Sequence, residues 1–376
     1  MTASQSMTTR LLAAAALLAG CTQAQPPERA IPGFDTNTAK RTIDLAELQS
    51  GGPPKDGIPA LDAPRFVSAD QASSWLADRE PVVLLRIEDE AKVYPLQILT
   101  WHEIVNDSLA GVPVAVTFCP LCYSAVALDR RIEGEDGPQT LSLGVSGLLR
   151  FSDMVMYDRQ TETLWQQFTG EAIVGDLVGT DLRVLPAQIV SFAQAQDDAP
   201  AALVLSRETG YDRDYGRNPY VGYDDIGRSP LFYRGETGGG LVPMERIVAV
   251  EVEDAFRAYP ASVTRERVVL EDDLGGVPIV VFHTDGAVTA LGEGEIAQAR
   301  EVGTSGVFRR VLEGRTLSFV WEDGEIRDGQ TGSRWSVTGE ATAGALEGER
   351  LAPVQSHDTF AFAWFAFRPE TTVYGE

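Results

Sequence analysis

Part of this chain is written twice, and a repeated sequence limits the available folds more than composition does. Tyr94-Pro95 returns as Tyr259-Pro260, and Ala110-Gly111-Val112-Pro113-Val114 returns as Gly275-Gly276-Val277-Pro278-Ile279, both 165 residues on with no slip of register. Downstream, Gly144-Val-Ser-Gly147 matches Gly303-Thr-Ser-Gly306, Gln160-Thr161 with Trp165 matches Gln330-Thr331 with Trp335, and Thr169-Gly-Glu-Ala172 matches Thr338-Gly-Glu-Ala341. These matches, all in the same order, predict two copies of one unit, residues 59–205 and 247–368, joined by a distinct connecting segment, residues 206–246.

Each unit reads as mainly β with a few short helices, an α+β class. Val112 to Phe118 and Val277 to Phe282 are β-branched runs of strand length, and the turn signals Asp285-Gly286 and Asp323-Gly324 fall between such runs. Helices are expected at Ala69 to Arg79 and at Ala91 to Asn106, the latter interrupted at Pro95.

The N-terminus has the order of a secretory signal, with Arg10, the short apolar stretch Leu11 to Leu18, and small residues before Cys21. The stretch is too short to persist as a spanning helix, and Gly20 breaks it further. Leu18-Ala19-Gly20-Cys21 resembles the lipobox of bacterial lipoproteins, whose cysteine is acylated and becomes the new N-terminus. That resemblance implies a signal peptide at residues 1–20, lipid on Cys21, and a cell-envelope location facing the periplasm, the outer membrane favoured over the inner. Either Met1 or Met7 can serve as the start. Residues 21–58, polar and rich in turn formers, read as a flexible tether.

The formal net charge of −24 excludes nucleic acid as a partner, because binding phosphates needs an excess of lysine and arginine. There is no glycine-rich phosphate loop after a strand, no serine elbow with histidine and acid, and no His-Glu-x-x-His helix, so no nucleotide cofactor is expected and an enzymatic role stays open.

With Cys21 assigned to lipid, the remaining cysteines form one pair in Phe118-Cys119-Pro120-Leu121-Cys122-Tyr123. Two-residue spacing lets both sulfurs face one point, as a metal site, a redox dithiol or a tight disulfide. The second copy holds His283-Thr-Asp-Gly-Ala-Val at this position, which puts the cysteines on a β-turn-β tip resembling the knuckle of rubredoxins and zinc ribbons. His102 is the nearest further ligand. The second copy has Arg267 in its place, so His102 and both cysteines are absent together from that copy. Glu103, Met154 and Met156 are candidates for a fourth ligand, the methionines favouring a soft ion such as Cu(I). His283 and His357 read as structural or surface residues unless the two units meet tip to tip.

The connecting segment is dense in Tyr, Arg and Asp. Arg207, Arg213, Asp214, Tyr215 and Arg217 are its candidate ligand-binding residues, against the alternative of a surface loop laced with ion pairs.

Taken together, Trp101-His-Glu-Ile-Val-Asn106, Thr117-Phe-Cys-Pro-Leu-Cys122, Leu164-Trp-Gln166 onward to Thr169-Gly170, and Ser206-Arg-Glu-Thr-Gly210 with Asp214-Tyr-Gly-Arg-Asn-Pro-Tyr220 resemble the bacterial and archaeal family known as domain of unknown function 3179. The resemblance spans most of residues 75–365. It implies no activity, but it places the cysteine pair, His102 and the Asp-Tyr-Gly-Arg stretch among the characteristic motifs.

Three functions are expected from these residues. The first is an envelope metal-binding protein holding copper or zinc on Cys119, Cys122 and His102. The second is an envelope thiol-disulfide oxidoreductase using the cysteine pair. The third is a non-catalytic module that binds a small molecule or protein partner.

Overall fold

The computed structural model describes residues 30–134 and 137–375; Cys21, the apolar stretch and both candidate start residues lie outside them. The described chain is mainly β, with α-helices none of which exceeds seven residues. None is long and apolar enough to cross a membrane.

In the first half, the strand Pro81–Ile87 pairs antiparallel with Glu90–Pro95 and the helix Leu96–His102 follows; in the second, Arg246–Val252 pairs with Ala255–Pro260 and the helix Ala261–Arg267 follows. The helix expected from Ala91 therefore starts only after Pro95, and Ile104–Leu109 beyond it is strand. The cause is local. Pro95 and Pro260, at φ −62 and −58, end a strand with the φ that the first helical turn needs. Likewise only Ala69–Ala72 of the helix expected to Arg79 is α-helical, started by a Ser68–Gln71 capping box.

The helices Leu96–His102 and Ala261–Arg267 both end in the left-handed region without glycine, at Glu103 (φ 58) and Val268 (φ 62), at a cost of about 1–2 kcal/mol each. Val268 has no polar side chain to offer, so this corner belongs to the packing of helix on strand rather than to any chemistry of Glu103.

Three-stranded meanders follow in both halves, Ile104–Leu109, Val112–Cys119 and Ser124–Asp129 against Val269–Leu274, Val277–Thr284 and Thr304–Arg309. Matching buried bonds accompany them. The Tyr94 phenol donates to Asp107 at 2.8 Å and that of Tyr259 to Asp272 at 2.7 Å. Further on, the Trp165 indole donates to Asp158 at 3.0 Å and that of Trp335 to Asp328 at 3.1 Å.

Two of the sequence correspondences change. Gly303–Gly306 opens the strand that pairs with Val277–Thr284, a place held in the first half by Ser124–Asp129, whereas Ser146 and Gly147 form a bulge in a later strand. Asp285-Gly286 is no tight hairpin turn: the chain leaves at Thr284, passes through the 3-10 turn Ile296–Gln298 and returns only at Thr304.

Residues 30–58, expected as tether, pack on the first half. Ile31 is buried with Phe34, Leu45 and Leu48 against Val155 and Tyr157, and Leu48–Ser50 pairs with Leu143–Arg150. Apolar spacing within a polar, turn-rich stretch is enough to dock it. The largest core cluster draws Cys119, Cys122, Tyr123 and Trp165 from the first half, Tyr223 from the connecting segment, and Phe360, Phe362 and Trp364 from the second half.

Candidate metal centre

The cysteine pair sits on a turn between two strands. Val112–Cys119 pairs with Ser124–Asp129, and between them the Cys122 amide donates to the Cys119 carbonyl at 3.2 Å and that of Tyr123 to the Pro120 carbonyl at 3.3 Å. Gln167 straps the hairpin, donating to Thr117 Oγ1 and accepting from Ser124 Oγ. The tip is buried rather than displayed: Cys119 is 2% and Cys122 0% exposed, both as free thiols.

What covers it comes from elsewhere in the chain. The Cys122 carbonyl accepts from Thr359 Oγ1 at 2.8 Å and from the Phe360 amide at 3.0 Å, both of the second half. The Tyr223 hydroxyl, from the connecting segment, donates to the Leu121 carbonyl at 3.1 Å and accepts from the Leu231 amide. Ser152 Oγ donates to the Leu231 carbonyl, and the Cys119 thiol lies 3.8 Å from the Ser152 carbonyl.

The third member is Asp153. Its carboxylate oxygens and the two cysteine sulfurs gather so that one atom from each lies within 4.8 Å of the others. Asp153 Oδ2 accepts from Gln166 Nε2 at 2.6 Å and from the Phe168 amide at 3.1 Å, while Oδ1, fully buried, has no hydrogen-bond partner. A buried acceptor left unmade costs about 1–3 kcal/mol, more when charged, unless something else satisfies it. Glu103 adds a further acid. Burial, reinforced by the Asp153 charge, pushes its carboxyl up to about 8; burial lifts that of Asp153 to about 7. Burial also raises both thiols, Cys122 more than Cys119; the Asp153 charge adds to both and that of Glu103 to Cys119. Among the described residues neither Glu103 nor Asp153 forms an ion pair with an arginine or lysine. Two thiols and the Asp153 carboxyl are thus gathered in buried surroundings, with the Glu103 acid close enough to feel the Asp153 charge, a setting in which a divalent ion can replace protons.

The second half carries none of this. The hairpin of Leu143–Arg150 with Asp153–Asp158 has six facing pairs, its counterpart of Phe319–Glu322 with Glu325–Asp328 only four. The added length carries Asp153 to the cysteines.

His102 goes elsewhere. Its Nδ1 lies 2.7 Å from the Pro59 carbonyl, which only accepts, so Nδ1 holds the proton; Nε2, 2.6 Å from Tyr215 Oη, accepts the phenol proton. Thr209 Oγ1 completes the chain at 2.5 Å from Tyr215 Oη, and burial lowers the imidazole pKa. With both nitrogens engaged, His102 ties the connecting segment to the first half and is not among the gathered ligand atoms. Met154 and Met156 are buried in the same core as the cysteines.

The five residues singled out in the connecting segment do not converge. Arg207 Nε donates to Gln97 Oε1 at 2.8 Å, Tyr215 turns to His102, and Arg217 pairs with Glu295 of the second half at 2.9 Å. Arg213 and Asp214 are exposed. His357 is buried between Phe168 and Trp364, and burial holds its imidazole down at about 4; His283 is buried with Nδ1 on Ser305 Oγ. Asp153 stands in the sequence just before Met154 and Met156, and the signal it carried was its absence from the second half, hidden by the unequal hairpins.

Neither the curated proteins nor the solved structures contain a match to this chain. A family model described as a protein of unknown function, DUF3179, matches residues 55–371, and the chain belongs to that family.

Proposed function

We propose that this protein is a metal-binding lipoprotein of the cell envelope, built from two copies of one unit, of which the first holds the ion. Cys119, Cys122 and Asp153 are its ligands, and Glu103, buried and under the Asp153 charge but outside the gathered atoms, would have to move in to serve as the fourth. The observation that carries the reading is the unpartnered, buried Oδ1 of Asp153 beside two free thiols.

Two thiolates with carboxylate oxygen suit zinc, which takes sulfur and oxygen in a closed tetrahedron; copper(I) would call for further soft donors. A closed, buried set of this kind is a structural site rather than an open catalytic one. The same burial weighs against thiol-disulfide exchange, since a reactive thiol needs access and a lowered pKa, and here both pKa values rise. Lipid on Cys21 would hold the protein at a membrane, as the lipobox-like run supports.

Loading with cobalt(II) in place of zinc tests the ligand set by absorption. Thiolate-to-cobalt charge transfer in the near ultraviolet with intense visible bands of tetrahedral cobalt is expected, reduced in Cys122→Ser and in Asp153→Asn. A cobalt-treated protein without charge transfer would overturn the assignment.

A further inference from the structure

A cleft lies on another side of the knuckle. The connecting segment at Gly222–Ile226, the first turns of the helix Ala261–Arg267 and the excursion after Gly292 enclose a cleft of about 610 Å³, well within the size that small organic ligands occupy. Arg246, Arg265 and Arg300 line it.

Arg246 is the unusual member. It is 9% exposed, its Nη2 donates to Asp358 at 2.7 Å, and its Nη1 is buried with no hydrogen-bond partner. Its guanidinium lies 4.2 Å from the centre of the Tyr123 ring, the residue that follows Cys122. A buried guanidinium N–H without an acceptor is costly, and an oxyanion is the partner whose geometry suits it. Arg265 reinforces the point: it donates to the Val302 carbonyl and makes no ion pair among the described residues. Arg300, by contrast, is already matched by the buried Asp224, which also accepts from Thr289.

Counted by sign alone the cleft is not basic, because Asp225, Glu245 and Glu293 also line it. Asp225 and Glu293 are exposed at the rim, and burial raises the Glu245 carboxyl. Selectivity therefore rests on free guanidinium donors rather than on net field, which favours a ligand with a single compact anionic group.

We propose that this cleft binds the carboxylate or phosphate group of a small molecule, held by Arg246 and Arg265. Neither arginine has a counterpart in the first half: Pro81 stands at the start of the strand that corresponds to Arg246–Val252, and Thr100 where the second helix has Arg265. The site would thus be a property of the second half, as the metal centre is of the first.

The test is calorimetric titration of the full-length protein with inorganic phosphate and, separately, with acetate, at constant ionic strength set by chloride. Saturable binding of at least one oxyanion is expected, weakened at least tenfold by Arg265→Gln, whose side chain is exposed and whose loss leaves folding intact. Arg246→Lys keeps the charge facing Asp358 but removes the fork, and should lose binding to the same degree. Preference between phosphate and acetate separates the two ligand types. Absence of saturable binding by either anion, or wild-type affinity in Arg265→Gln, would overturn the proposal.

Discussion

Replacing Asp153 by asparagine should reverse its effect on stability according to whether metal is present. Asparagine keeps an oxygen for Gln166 Nε2 and the Phe168 amide and sets an amide group where Oδ1 now has no partner. In the metal-free protein the folded-state pKa of Asp153 is raised to about 7 from an ordinary 3.8. A raised pKa means that folding favours the protonated acid, so the contribution to stability is whole below the unfolded value and is lost as pH rises through about 7. Between about pH 5 and about pH 9 that loss amounts to roughly 3 kcal/mol, at about 1.4 kcal/mol for each pH unit up to the folded pKa. Asparagine does not titrate. Urea denaturation of the metal-free, reduced protein should therefore show Asp153→Asn gaining on the wild type by roughly 3 kcal/mol across that interval. With zinc at a thousandfold excess over its dissociation constant the wild type gains about 4 kcal/mol that the variant forgoes, and the order inverts. A stability difference that stays constant with pH would show that Asp153 is not a buried, uncompensated acid, and the metal argument would lose its footing.

Further outcomes follow from neighbouring residues. His357, held down at about 4, should make the protein acid-sensitive: a depressed folded pKa gives a contribution that is whole above about 6.5 and lost as pH falls toward 4, worth up to roughly 3 kcal/mol, and His357→Leu should flatten that part of a thermal-denaturation profile. Tyr215→Phe should leave metal stoichiometry unchanged while costing roughly 1–3 kcal/mol in chemical denaturation, because His102 Nε2 and Thr209 lose their shared partner; a loss of metal would put His102 back among the ligands. Tyr223→Phe removes a hydrogen bond from the knuckle and one from Leu231, and should lower the melting temperature while quickening proteolysis of the connecting segment.

Much of the fold could be read from residue types, and the failures have physical causes. The strand Val112–Cys119 and the strand after the cysteines were legible from β-branched runs and from the similar run in the second half. The stretch from Ala91 was not, because Pro95 separates a strand from a helix whose periodicities overlap over so few residues. The match of Gly144 to Gly303 misled because a short glycine-serine pattern serves a bulge in one place and a strand in the other. At the site, spacing alone revealed the cysteine pair. Asp153 was out of reach, since its carboxylate meets the cysteines only because a longer hairpin folds back on a turn far away in sequence. His102 looked like a ligand because the second half replaces it together with both cysteines, yet its ring turns to the connecting segment, where the phenol of Tyr215 claimed it.

The central claim is the metal on Cys119, Cys122 and Asp153, and elemental analysis of tag-free protein purified without chelator tests it most directly. One equivalent of zinc per chain is predicted, lost in Cys119→Ser and in Asp153→Asn and retained in His102→Gln. Occupancy unchanged by Cys119→Ser, or lost only when His102 is replaced, would contradict it.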